Sequence, residues 1–267
     1  MRVKNERFFL WVNRWFWPLF FLRHQGKPTV IVKEENGARF RVRVNTSDFL
    51  MVWEIWRAKA YDDLRIPIHE EDTVVDMGAH IGAFAVRAAR QAHHGRVFAY
   101  EASSRNYAML GENRQLNELD NLYIENSAVS DKRGTMNLYS PADNGMLSSL
   151  LHESDSFMEI VQAVTFAEII EEHALERIDF LKLDVEGSEY DILLNCSDET
   201  LTKVQRIVME YHEFDVDKRN HQDLVSRLNS RGFTVVVEKG VSSLMDWFGA
   251  WFGGRIISTG IIKAWRE

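Results

Sequence analysis

The sequence predicts an α/β fold, a mostly parallel sheet with helices on both faces. Three observations lead there. From residue 72 onward, short apolar runs of strand length alternate with helix-forming stretches. A glycine-bearing turn, Asp76-Met-Gly78-Ala79-His-Ile-Gly82, joins the first of those strands to a helix. The chain has 267 residues, 45% of them hydrophobic, and a single cysteine. A chain of that length can bury a core without a disulfide or metal staple.

Residues 1–28 read as an aromatic-rich segment. Between Phe8 and Leu22 stand Trp11, Trp15 and Trp17, interrupted by Asn13, Arg14 and Pro18. The run is about 15 residues, short of the roughly 20 that a membrane-spanning helix needs. It lacks the clean apolar stretch and small-residue cleavage site of a signal peptide. Two readings stand side by side. One is an interfacial helix with its arginines in water; the other is a helix packed on the domain or on a dimer partner. A second cluster, Trp247, Phe248, Trp251 and Phe252, falls between two strand-like runs, 234–238 and 255–262. It joins the same surface or folds back on the core.

Residues 29–70 read as an extension made of a hairpin and a helix. Val30–Val32 and Phe40–Val44 flank Asn36-Gly37, a pair that predicts a type I′ turn. A helix is expected from Phe49 to about Leu64, with its aromatics in the core. Residues 71–267 then read as one catalytic domain. Strands are expected at 73–77, 96–101, 122–126, 180–184 and 206–210. Helices are expected from Gly82, from Ser104 to Leu119, from Thr165 to Ala174, from Ser188, and from His221 to Arg231. Ser103 or Ser104 caps the second, and Thr165-x-x-Glu168 is a capping box for the third. The polar stretch Ser140–Ser156 reads as a long loop.

Charge and cysteine content narrow the function. With 32 Lys+Arg against 40 Asp+Glu the net charge is −8. A nucleic-acid binder carries a basic footprint, so no nucleic-acid partner is expected. Cys196 alone makes neither an internal disulfide nor a cysteine-based zinc site, and a reducing, cytoplasmic compartment is the simpler expectation.

The chemistry-bearing residues fall at strand ends. The spacing Gly78-x-x-x-Gly82 differs from the Gly-x-Gly-x-x-Gly of dinucleotide folds, and Asp76 before it suits a cationic amino group better than a pyrophosphate. Glu101, roughly 20 residues on, is placed to accept hydrogen bonds from ribose hydroxyls. Together they indicate a nucleoside-bearing cofactor with a positively charged end, a description that S-adenosyl-L-methionine fits. Asp184 and Glu186, after a later strand, are expected in the same crevice. His212, in Glu210-Tyr-His212, can take a proton near neutral pH.

Asp76-x-Gly78-Ala79-x-x-Gly82, Tyr100-Glu101, Asn126-x-Ala128-Val-Ser-Asp131 and Lys182-Leu-Asp184-Val-Glu186-Gly187-x-Glu189 together resemble the FkbM family of methyltransferases. The likeness covers roughly residues 50–240, and its last stretch is the most specific. The resemblance implies a Rossmann-like class I fold and S-adenosyl-L-methionine as methyl donor. It implies a hydroxyl acceptor on a sugar, glycan or secondary metabolite, and a cofactor site drawing on Asn126 and Ala128 beside Asp76, Gly78, Ala79, Gly82 and Glu101. Ala102 stands where the family commonly has proline.

Methyl transfer to oxygen needs a group that takes the hydroxyl proton. Asp184, Glu186 and His212 are the candidates, with a metal held by Asp184 and Glu186 as another route. No metal ligand is assigned. Two other functions compete: a nicotinamide-dependent oxidoreductase, disfavoured by the glycine spacing, and a membrane-associated binding protein without activity, disfavoured by the retained carboxylates. Peripheral contact with the inner membrane face is expected if the aromatic segment is interfacial.

Overall fold

The computed structural model describes residues 26–34, 36–44, 46–141, 156–185, 187–213, 220–239 and 258–266. It begins with an antiparallel hairpin, β1 (Thr29–Lys33) and β2 (Arg39–Arg43), with Thr29 opposite Arg43 and Lys33 opposite Arg39. The turn differs from the expected type I′, which needs positive φ at both central residues. Only Gly37 has it, at φ 86°, and its N–H donates to the Glu34 carbonyl at 2.9 Å. Glu34 N–H in turn donates to the Ala38 carbonyl at 2.9 Å, so the connection is longer by a residue than the two-residue loop predicted.

Helix α1 (Asp48–Trp53) continues into a π-helical turn, Glu54–Ala58, and stops at Lys59, whose φ is 56°. The helix is therefore shorter than expected. The left-handed residue ends it, and the chain beyond turns so that Tyr61 points inward, 8% exposed.

Among the described residues the main sheet has seven strands in the order β11-β12-β10-β9-β3-β4-β5. They are β3 (Thr73–Met77), β4 (Arg96–Tyr100), β5 (Leu122–Glu125), β9 (Ile178–Leu183), β10 (Val204–Glu213), β11 (Thr234–Lys239) and β12 (Ser258–Trp265). β5, β4, β3, β9 and β10 pair in parallel, while β12 lies antiparallel between β10 and β11. The predicted strands 96–101, 122–126, 180–184 and 206–210 end or begin a few residues from these bounds; of the run expected at 255–262, residues 258–262 lie in β12 and 255–257 lie outside the described residues.

Alternation along the strands feeds two cores. Val74, Val97, Ala99, Phe180 and Val208 face the hairpin, α1, α2 (Ala83–Gln91) and α3 (Ser104–Leu116). Val75, Phe98, Tyr100, Leu181 and Met209 face α4 (Phe166–Glu172), α5 (Glu189–Asn195), α6 (Asp198–Thr202) and α7 (His221–Asn229). Burial on both faces explains why these strands read as continuous apolar runs. Ser103 caps α3 by accepting the Asn106 N–H, and Thr165 and Glu168 close the predicted capping box reciprocally at α4.

The region expected as a loop is bounded by strands that the sequence did not predict. β6 (Ala128–Ser130), β7 (Gly134–Pro141) and β8 (Ser156–Thr165) form a second sheet, with Gly134 opposite Ala163 and Pro141 opposite Ser156. Backbone pairing between β7 and β8 satisfies the polar groups of these two strands. Residues 142–155 lie outside the described residues, as do the aromatic segments Phe8–Leu22 and 244–254. Among the described residues no helix is long and apolar enough to cross a membrane.

Candidate active site

Chain order reverses between β3 and β9. From β3 the chain moves outward to β4 and β5, and it later returns to lay β9 and β10 on the other side. Ligands of open α/β sheets sit at such a switch, outside the carboxyl ends of the strands. The predicted residues Asp76, Gly78, Glu101, Asp184 and His212 all lie at that end.

Register explains the first contacts. Asp76 on β3 pairs with Lys182 on β9, so their side chains leave the sheet together. Lys182 Nζ lies 3.0 Å from Asp76 Oδ1 and 3.7 Å from Asp184 Oδ2, and it donates to the Gly78 carbonyl at 2.6 Å. Asp76 is wholly buried and thus faces an ammonium of its own chain. Burial raises its pKa, while Lys182 opposes the shift. Burial also works against the Lys182 ammonium, but Asp76 and Asp184 together hold its pKa above the ordinary lysine value.

Gly78 is required by the neighbouring strand. Its φ is 82°, and a Cβ there would stand 1.8 Å from the Asp184 carbonyl oxygen. Gly78 and Ala79 N–H both donate to the Tyr100 carbonyl at 3.0 Å. Gly82 has φ 88° and opens α2. The turn thus ties β3 to both β4 and β9.

Glu101 follows β4 and is nearly buried. Its Oε2 accepts the His80 N–H at 2.7 Å; its Oε1 accepts the Ser103 N–H at 3.0 Å and Asn106 Nδ2 at 3.3 Å. Burial raises its pKa, and these three donors pull against that. The extension supports this carboxylate from behind: Arg43, paired with the buried Asp48, donates to Asn106 Oδ1 at 2.7 Å. Asn126 donates through Nδ2 to the carbonyls of Glu101 and Ala102, at 2.9 and 3.0 Å, so it holds the backbone on which Glu101 stands. Ala128 opens β6 opposite Ala163.

A second group of side chains gathers beside Asp184. β10 runs past the end of β9, and the alternation that points Val208 at the first core points Glu210 and His212 the same way. Ligand-type atoms of Asp184, Glu210 and His212 lie within 4.8 Å of one another. The Tyr61 hydroxyl lies between the carboxylates, 3.3 Å from Asp184 Oδ2 and 3.5 Å from Glu210 Oε2. Burial, and then Asp184, drive the Tyr61 pKa well above the usual phenol value, so it stays a donor. Glu54, at the start of the π turn, has its pKa pushed up to about 7 by burial and by Asp184. His212 Nδ1 lies 3.0 Å from Oε1 of Glu189, which is wholly buried. Glu186 lies outside the described residues.

Lys182, Glu189 and Glu210 all stand in the strand-end motifs, but nothing local in the sequence marks their roles. Glu54 and Tyr61 carried no local signal; only the path of the chain after α1 brings them to Asp184.

The arrangement fits a nucleoside cofactor at Glu101 and the glycine turn, whereas Asp76, expected to meet the cationic end, is turned to Lys182 instead. An ionised carboxylate offers about four acceptor sites, and Glu101 uses three within the chain. His80 Nδ1, buried in the glycine turn, has no hydrogen-bond partner among the described residues, which leaves a polar atom for a ligand to satisfy.

The family pattern described as Methyltransferase FkbM domain matches residues 76–235, more than half of the chain. The chain belongs to the FkbM methyltransferase family. Its cofactor is S-adenosyl-L-methionine. It is similar to the 31-O-demethyl-FK506 methyltransferase FkbM of Streptomyces tacrolimicus, with 25% identity over 76% of this chain and 88% of that protein. It is similar also to the 2-O-methyltransferase NoeI of Sinorhizobium fredii (strain NBRC 101917 / NGR234), at 26% over 54% of this chain and 64% of that protein. Among solved structures, M. jannaschii TYW2 in complex with AdoMet aligns over 90% of this chain and 88% of that chain, with 18% identity and a TM-score of 0.48.

Proposed function

We propose that this methyltransferase acts on oxygen, methylating a hydroxyl of a sugar, glycan or secondary metabolite. The observation that carries the reading is the gathering of Asp184, Glu210, His212 and Tyr61 beside the glycine turn at the switch point. When bound, S-adenosyl-L-methionine supplies an electrophilic methyl group on a sulfonium. The turn Gly78–Gly82 and Glu101 would hold it, and the protein's remaining task is to orient a hydroxyl and take its proton.

His212 is the proton acceptor in this reading. Asp184 already accepts the Tyr61 hydroxyl and faces the Lys182 ammonium, whereas an imidazole is a base suited to neutral pH. The names of two relatives, an O-demethyl substrate for one and 2-O transfer for the other, support the choice of oxygen. We also propose peripheral attachment to the inner membrane face through residues 8–22, supported by their sequence alone.

The test is transfer of an isotope-labelled methyl group from S-adenosyl-L-methionine into host extracts, with mass spectrometry of the product. A methyl ether on a hydroxyl is the expected product; label on nitrogen, sulfur or carbon rejects the reading. Turnover that survives a chelator agrees with His212 as base. Loss of turnover on chelation, restored by magnesium, assigns activation of the hydroxyl to a cation instead.

A further inference from the structure

We propose that Glu70, His93 and His94 bind a divalent transition-metal ion of the zinc class, which clasps the connection entering β3 to the connection entering β4. The site stands at the amino ends of the parallel strands, at the opposite end of the sheet from Asp184 and Glu101.

The backbone brings the three side chains together. Glu70 belongs to the turn that leads into Thr73 of β3, and His93 and His94 belong to the turn between α2 and Arg96 of β4. Thr73 pairs with Arg96, so the two turns lie side by side. His94 N–H donates to the Glu70 carbonyl at 2.9 Å, and Arg96 N–H donates to the Asp72 carbonyl at 3.1 Å. Gly95 permits this approach, since a Cβ there would stand 2.0 Å from the Asp72 carbonyl oxygen. The ligand-type atoms of Glu70, His93 and His94 all lie within 4.8 Å of one another, and the two imidazole centroids are 4.3 Å apart.

His93 carries a second mark of a metal ligand. Its Nδ1 lies 3.1 Å from the Gln91 carbonyl oxygen, which only accepts, so in the neutral ring the hydrogen belongs to Nδ1 and the lone pair to Nε2. Histidines that bind metals commonly donate their other ring nitrogen to a carbonyl or carboxylate in this way, which fixes the ring. His93 Nε2 faces Glu70 Oε2 at 3.8 Å. Two ligand atoms on one tetrahedral zinc stand about 3.4 Å apart, from metal–ligand bonds of about 2.0–2.2 Å. A small rotation closes the difference, and the side chains have room for it: Glu70 is 72% and His93 48% exposed. Two imidazoles with one carboxylate suit zinc, nickel or copper, whereas magnesium and calcium prefer oxygen ligands. Water takes the fourth position of a tetrahedral ion with three protein ligands.

The experiment uses the full-length protein, stripped with a chelator and titrated with zinc alone. Diethyl pyrocarbonate acylates accessible imidazole, and mass spectrometry locates the label. Micromolar zinc is expected to protect His93 and His94 together, and magnesium is not. Labelling that zinc leaves unchanged at both histidines overturns the proposal without any variant, and equal protection by magnesium overturns the assignment to a transition ion. In calorimetry, Glu70→Gln, His93→Gln and His94→Gln should each weaken zinc binding at least about tenfold, the lower end of what even the outer partners of a metal ligand cost. S-adenosylhomocysteine affinity, set at the other end of the sheet, shows that each variant is folded. Because the ion binds the assembled turns, zinc should raise the Tm of the wild type and not that of the double variant His93→Gln/His94→Gln. Zinc binding of wild-type strength in the folded double variant overturns the clasp and assigns the ion to another part of the chain.

Discussion

Replacing Glu54 with glutamine removes a carboxyl that the fold keeps protonated into the neutral range. Its pKa moves from the ordinary 4.5 to about 7, first through burial and second through Asp184. The native state thus binds a proton that the unfolded chain has already released, and stability falls as pH rises between those two values. The stabilising preference is complete below about 4.5 and lost once pH passes about 7. At about 1.4 kcal/mol per pKa unit, the native state is penalised by about 0.8 kcal/mol at pH 5 and about 3.3 kcal/mol at pH 8. Glutamine does not titrate. The stability of wild type minus that of Glu54→Gln should therefore drop by about 2.5 kcal/mol between those pH values. Urea unfolding at several pH values, followed by tryptophan fluorescence and circular dichroism, measures it. A difference that stays flat across the range would mean that Glu54 is solvated and that the negative charge around Asp184 does not reach it.

Three further outcomes are expected. Gly78→Ala combines a left-handed backbone with a Cβ 1.8 Å from the Asp184 carbonyl, so it should destabilise by at least about 2 kcal/mol in urea unfolding; near-wild-type stability would show that β3 and β9 are not packed as described. Glu101→Ala should weaken S-adenosylhomocysteine binding in calorimetry by about 1.5–3 kcal/mol, the worth of a charge-assisted bond, and an unaltered affinity in a folded variant removes Glu101 from the cofactor site. Full-length protein should float with anionic liposomes, less so at high salt, and a variant lacking residues 1–22 should stay at the bottom of the gradient. Full-length protein that also stays at the bottom assigns those aromatics to packing.

The sequence by itself determined the alternation of strands and helices, because period-two burial and helix-forming runs are local properties. It determined the Thr165–Glu168 capping box for the same reason. It also marked which residues stand at strand ends, since Asp76, Glu101, Asp184 and His212 each close or follow an apolar run. Local pattern misled where backbone geometry beyond a few residues mattered. Asn36-Gly37 spelled a two-residue turn, but the pairing of Glu34 with Ala38 sets a longer one. The strands β7 and β8 on either side of the stretch expected as a loop went unpredicted, because each pairs only with residues distant in sequence. Tertiary structure alone decided the partners of the charges. The register of β3 against β9 put Lys182 beside Asp76, which made Asp76 half of a buried ion pair. The approach of those same strands made Gly78 obligatory through the Asp184 carbonyl. The path of the chain after α1 brought Glu54 and Tyr61 to Asp184, and the meeting of β10 with α5 gave His212 its carboxylate. Charge and hydrogen bonding act over a few ångströms in space, and only the fold determines which distant residues come that close.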